Sequence, residues 1–250
     1  MGTTVGSVGD NGRLRVSWRA VISLAALLML GCNSDNPIGP SDEITVRLNF
    51  SMGQQGWTAG FADYPVGQEA FFELDSDYRA LPPPLNTSQN ALYISGNNHS
   101  DDLFMYYKGR HTGLQPNTRY LVRFSVEFAT NTPSGCSGVG GSPGESVYVK
   151  AGTSEVEPDK VVVSGSYRMN LSKGEQSTSG DDVITLGNVA NSVTCGAEPR
   201  WELKELSSVQ LVEVTTGTAG DVWLLVGTDS GFEATSSLYY TRFVASFSPG

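Results

Sequence analysis

From Tyr120 to Phe128 a large apolar side chain takes every second position: Tyr120, Val122, Phe124, Val126 and Phe128, with Leu121, Arg123, Ser125 and Glu127 between them. Successive strand residues point to opposite faces, so this run predicts a strand with one buried face. One strand cannot cover its own apolar face, so further runs of the same period must build an opposing layer. They are present. Val46, Leu48 and Phe50 alternate with Thr45, Arg47 and Asn49, and Thr241, Phe243, Ala245 and Phe247 share one face near residue 250. Val222, Leu224 and Val226 alternate with Trp223 and Leu225, which predicts a strand buried on both faces.

Further strands are expected near 55–62, 69–75, 91–95, 102–108, 145–151, 160–168, 183–187, 200–206 and 208–215, separated by Gly, Asn, Asp, Ser and Pro. No helical period persists beyond about two turns, the length needed to place an amphipathic stripe. Many short strands without helices predict an all-β sandwich over 44–249, with no internal repeat. Three loops interrupt the pattern: Leu81–Leu85 with three prolines, the Gly- and Ser-rich Asn131–Ser146, and Asn188–Arg200.

The chain begins differently. Arg13, Arg15 and Arg19 precede an apolar run from Ala20 to Leu30, and Gly31-Cys32 follows. A basic start, a short apolar run and a small residue describe an export signal. The run is 11 residues long, where a spanning helix needs about 20. The ending Leu28-Met29-Leu30-Gly31-Cys32 resembles the lipobox of bacterial lipoproteins, with Met29 where Leu is commoner. That resemblance implies a signal peptide over 1–31, a lipid on Cys32 with palmitate among its acyl chains, and a membrane partner reached through the anchor. Residues 32–43, rich in Pro, Asn and Asp, read as a flexible tether. Asn33 stands where an Asp would hold some lipoproteins at the inner membrane. The expected location is the cell envelope: outer membrane, periplasmic face or cell surface.

Residues 1–31 hold three arginines and one aspartate, so the chain from Cys32 onward carries 13 basic and 25 acidic side chains, net −12. No basic cluster suits nucleic acid. With Cys32 lipidated, Cys136 and Cys195 remain for an oxidising compartment, and a Cys136–Cys195 disulfide is expected.

Gly113-Leu114-Gln115-Pro116-Asn117-Thr118-Arg119-Tyr120 resembles the tyrosine corner of β-sandwiches. Fibronectin type III domains carry that corner, but they end about one strand later, and this chain continues for 130 residues. The Gln55-Gly56-Trp57 opening and the Leu238–Phe243 strand resemble the larger jelly-roll carbohydrate-binding modules of the galactose-binding-like fold. Thr241 and Arg242 stand where those modules commonly have an Asp, which puts their structural calcium in question here. The blocks Gly96–Arg110 and Gly138–Gly152 resemble those of a group of secreted bacterial proteins of unknown function.

The densest polar cluster is Asn97, Asn98, His99, Ser100, Asp101 and Asp102, followed by Tyr106, Tyr107 and Lys108. Amides, carboxylates and a cation suit sugar hydroxyls, and a tyrosine ring suits the C–H face of a sugar. The same residues suit a hairpin turn whose Asn and Asp cap backbone groups. Asp101 and Asp102 are also hard oxygen ligands. No cofactor is expected; a calcium site assembled across loops from them with Asp63, Asp75, Asp77, Asp181, Asp182 or Asp229 is the open alternative, although no D-x-[DN]-x-[DN]-G loop appears. Two histidines and no H-E-x-x-H argue against zinc. The Gly138–Ser146 run lacks the G-K-[ST] ending of a phosphate cradle, and no G-x-S-x-G elbow is present. The reading is a non-enzymatic, lipid-anchored binding module for a glycan or another surface ligand. The alternatives are an envelope assembly lipoprotein that binds a protein, and a secreted hydrolase with paired carboxylates.

Overall fold

The structure, a computed structural model, describes residues 43–250. The export signal, Cys32 and nearly all of the tether lie outside the described residues.

The strand built on the Tyr120–Phe128 run is the centre of one layer. The strands in chain order are β1 (Ile44–Asn49), β2 (Thr58–Ala62), β3 (Tyr64–Pro65), β4 (Asp75–Ala80), β5 (Asn90–Asn97), β6 (Leu103–Thr112), β7 (Arg119–Thr130), β8 (Val147–Ser154), β9 (Lys160–Val163), β10 (Ser166–Met169), β11 (Val183–Asn188), β12 (Glu202–Ser207), β13 (Val212–Thr215), β14 (Asp221–Ser230) and β15 (Thr235–Pro249). The first sheet runs β12-β7-β15-β5-β4, with β1 also on β15 and β13 also on β7. The second runs β11-β8-β14-β6-β2, and a small third runs β3-β10-β9. Half of the connections cross directly from one large sheet to the other, as from β5 to β6, β6 to β7 and β7 to β8. The result is an all-β jelly-roll sandwich.

The alternation decides what is inside. Tyr120, Val122, Phe124, Val126 and Phe128 are all buried in one core with Tyr107, Leu224, Val226, Phe243 and Phe247. Trp57 sits in this core, its ring 5.4 Å from Phe50 and 5.1 Å from Phe243. The tyrosine corner forms as the motif implies, with Gln115 N–H donating to the Tyr120 hydroxyl at 3.3 Å. Cys136 and Cys195 are disulfide-bonded. Their loops are also joined by backbone hydrogen bonds from Ser134 N–H to Val193 O and from Cys195 N–H to Ser134 O.

β14 is buried on both faces, as its sequence predicts. Leu225 packs with Phe104, Tyr106, Val183 and Ala62 on the outer face of the second sheet, beneath Leu171 and Met169. The chain from 155 to 182 thus covers a sheet face that would otherwise meet water. Two expectations need correction. Residues 160–168 are a hairpin, not one strand. Ser164 and Gly165 both take positive φ, 51° and 83°, the requirement of a type I′ turn. Residues 69–75 form tight turns, with Phe72 N–H bonded to Gln68 O and Leu74 N–H to Glu69 O, and the strand starts at Asp75. Burying Phe72 while exposing Phe71 satisfies the period of a strand and of a turn alike.

Candidate functional site

Five segments meet at one place in the fold: Asp63 after β2, the Asn98–Asp102 turn between β5 and β6, the Gly-rich loop before β8, residues 170–182, and the Gly231–Ala234 turn. Asn98 fixes the second of these. It is buried, its Nδ2 donates to Ser230 O at 2.8 Å and Phe232 O at 3.0 Å, and its Oδ1 accepts from Ser100 N–H at 3.1 Å. The Gly-rich loop closes against the same turn. Gly140 has φ +71°, and a Cβ there would lie 2.4 Å from Gly231 O, so only glycine lets the two backbones meet.

A cleft of about 790 Å³ opens here, lined by Asp63, Ser100, Asp102, Arg168, Lys173 and Gln176 among others. Its floor is an ionic network. Asp229 on β14 is fully buried, and its Oδ2 meets Lys173 Nζ at 2.8 Å and Lys150 Nζ at 3.2 Å. It also accepts from Gln176 N–H at 3.1 Å. Lys150, equally buried, donates to Lys173 O and Thr178 O, tying the 173–178 loop to the sheet. Lys173 Nζ lies 3.0 Å from Asp63 Oδ2. Arg168 Nη1 lies 3.1 Å from Asp63 Oδ1 and 2.8 Å from Asp102 Oδ2. Three carboxylates therefore face three cations.

The protonation equilibria follow from how many opposite charges each group sees. Burial pushes Asp102 up from 3.8 to about 6, Asp63 and Asp229 add to the rise, and Lys173 and Arg168 offset part of it. Burial lowers Lys150, and Asp229 only partly compensates. Lys173 is also penalised by burial, but Asp229, Asp63 and Asp102 outweigh the penalty and raise it. The network is imperfectly bonded. Asp63 Oδ2, Asp102 Oδ1 and Asp229 Oδ1 are buried and accept no hydrogen bond.

The residues proposed from sequence separate into groups. Ser100, Asp101 and Asp102 line the cleft. His99 stacks on Phe71 at 4.1 Å between ring centroids, and Phe71 is 57% exposed. Asn97 donates to Glu73 at 3.2 Å, and Asn98 braces the loop. The other three are elsewhere. Tyr107 is buried in the core and donates to Tyr93 O at 2.6 Å. Tyr106 lies under residues 169–171 on the opposite face of β6. Lys108 is held by Pro158 O at 2.7 Å and Glu157 at 2.8 Å. The exposed ring at this loop is therefore Phe71, not a tyrosine. Of the calcium candidates, Asp63, Asp102 and Asp229 do converge. Their counter-charges are lysines and an arginine, and among the described residues no set of His, Cys, Asp or Glu is arranged to hold a metal ion. Lys150, Arg168 and Lys173 carried no sequence signal. Lys150 alternates with Val149 and Ala151 as any outward strand residue would.

Chemically, the cleft offers hydroxyls, an amide, carboxylates and a guanidinium. One Arg168 nitrogen sits between Asp63 and Asp102, so these two carboxylates are not open to a bond placed between them, as a glycosidase pair is.

No family model matches the chain, and no curated protein matches it. Several solved structures resemble the chain at low similarity. The carbohydrate-binding module TmCBM61, solved with β-1,4-galactotriose, is 8% identical over 79% of this chain and 92% of its own, with a TM-score of 0.35. TmCBM27, a mannan-recognising carbohydrate-binding module, is 9% identical over 84% and 100%, at 0.36. The K1 cleaved adhesin domain of Lys-gingipain from Porphyromonas gingivalis W83 is 9% identical over 83% and 99%, at 0.35. At this distance the likeness says nothing about a ligand for this chain.

Proposed function

We propose that the chain is an exported, lipid-anchored module that binds a carbohydrate at the cell envelope and is not an enzyme. The observation that carries this reading is the Asn97–Asp102 loop. It brings an exposed aromatic pair, Phe71 on His99, and a polar cleft onto one short segment. Sugars present hydroxyls that donate and accept at once, plus a weakly apolar ring face. Asp101, Asp102, Ser100, Gln176 and Arg168 answer the first, and the Phe71 ring answers the second. The lining holds Asp63, Asp101, Asp102 and Glu175 against Arg168 and Lys173. That negative balance favours neutral glycans over uronates, sulfated sugars and nucleic acid. Anchoring rests on Cys32 and its preceding apolar run; labelling with radioactive palmitate should mark the wild-type protein and not Cys32→Ser.

The test of binding is affinity electrophoresis and a glycan array with the full chain in detergent. Retardation on a neutral polysaccharide is expected, weakened at least tenfold by Phe71→Ala, roughly the worth of one well-placed ring. No retardation on any polysaccharide would remove the reading. One observation favours the protein-binding alternative. Val161, Val162 and Val163 are consecutive and exposed on β9, the edge of the small sheet, and such an edge is a template for another chain. Crosslinking in the envelope through position 162 would capture that partner.

A further inference from the structure

Lys173 stands inside a shell of oxygens. Its Nζ has Asp229 Oδ2 at 2.8 Å, Asp63 Oδ2 at 3.0 Å, Gly174 O at 3.2 Å and Asp102 Oδ1 at 3.9 Å. These come from four separate places in the sequence, and all are the hard carboxylate and carbonyl ligands that calcium takes. An ammonium offers three directed hydrogens. Here it hydrogen-bonds Asp229 and Gly174 and leaves Asp63 Oδ2 and Asp102 Oδ1, both buried, without a hydrogen bond. Asp63 is 4% exposed and Asp229 is 0% exposed, so neither carboxylate can turn to water instead. A spherical ion has no such directional demand.

We propose that the Lys173 side chain is a built-in substitute for a structural cation, and that its oxygen shell becomes a calcium site when the side chain is removed. Charge supports the exchange. Asp63, Asp102 and Asp229, with Asp101 and Glu175 on the rim, exceed Arg168 and Lys150 by three, so a divalent ion leaves no positive excess. To reach calcium–oxygen distances, Asp229, Asp63 and Gly174 O must close in by about 0.4–0.8 Å and Asp102 Oδ1 by about 1.5 Å. Asp102 is partly exposed, and residues 172–178 belong to a loop, so both can follow. In the native chain the ammonium fills the shell.

The experiment is thermal unfolding of the full chain with EDTA or millimolar calcium, joined to terbium luminescence as a direct reading of occupancy. The wild type is expected to melt at the same temperature in both. Lys173→Ala is expected to melt about 10 °C lower in EDTA and to regain most of that in calcium. Should Lys173→Ala not fold in EDTA, calcium-dependent recovery of the β-sheet circular dichroism reads the same event. Lys173→Met, whose apolar chain still fills the shell, is expected to gain nothing from calcium. Lys173→Ala combined with Asp102→Asn is expected to bind terbium at least tenfold more weakly than Lys173→Ala. Equal melting of Lys173→Ala in EDTA and calcium, equal rescue of the Ala and Met variants, or stabilisation of the wild type by calcium would each overturn the proposal.

Discussion

Replacing Asp229 by alanine tests whether the buried network is held by charge complementarity. Asp229 is fully buried and serves Lys173 at 2.8 Å, Lys150 at 3.2 Å and the Gln176 amide at 3.1 Å through one oxygen. Its removal leaves Lys173 with Asp63 and Asp102, and leaves Lys150 with only the carbonyls of Lys173 and Thr178. Stripping one partner from a buried pair costs about 3–5 kcal/mol. Lys150 loses its carboxylate partner and Lys173 loses the nearest of three, so the upper end applies. For a domain of this size, about 5 kcal/mol lowers the melting temperature by roughly 10–20 °C. Urea titration followed by tryptophan fluorescence and circular dichroism, with the disulfide intact, measures the loss. Asp229→Leu with Lys150→Met is the control, because apolar side chains of similar volume in place of a buried pair are close to neutral. It should recover most of the stability. A loss below about 1 kcal/mol in Asp229→Ala, the scale of an exposed pair, would refute the reasoning. So would a double variant no more stable than the single.

Three further outcomes follow from the same structure. Asp102 has its carboxyl raised from 3.8 to about 6, so the folded state holds its proton more tightly than the unfolded chain. Its stabilising contribution is complete below pH 3.8 and is lost as pH rises through about 6; the melting curve of Asp102→Asn should therefore draw ahead of wild type across that window, and a constant gap would count against the assignment. Reducing the Cys136–Cys195 bond, which spans 59 residues, should cost about 4 kcal/mol in urea titrations run with and without reductant. Gly109→Ala would place a Cβ 2.3 Å from Trp57 Nε1, and Trp57 is wedged between Phe50 and Phe243. Overpacking of this kind should cost about 1–3 kcal/mol in the same assay.

The sandwich was legible because its strands obey one rule at every second residue. Tyr120–Phe128 shows it plainly, and so do the tyrosine corner and the two cysteines left for each other. The site was less so. The Asn97–Asp102 cluster announces a special loop, but not which side chains are structural. Asn98 is a brace and Tyr107 a core residue, and composition cannot tell a ring that points inward from one that points out. Lys150, Lys173 and Arg168 were invisible for a different reason. Each sits in an alternating or polar stretch that reads as solvent-facing, and only the cover formed by 155–182 turns that outer face into an interior. A face buried by a later segment has no local period to reveal it.

β15 lies between β5 and β7 and also takes β1 on its edge, so the first strand of the domain is bonded to the last. On a ribosome the earlier strands are made in order, and none of the three has this partner until β15 emerges. The first sheet is therefore a late event in the life of each molecule, and until then β1, β5 and β7 keep unpaired edges open to chaperones or to one another.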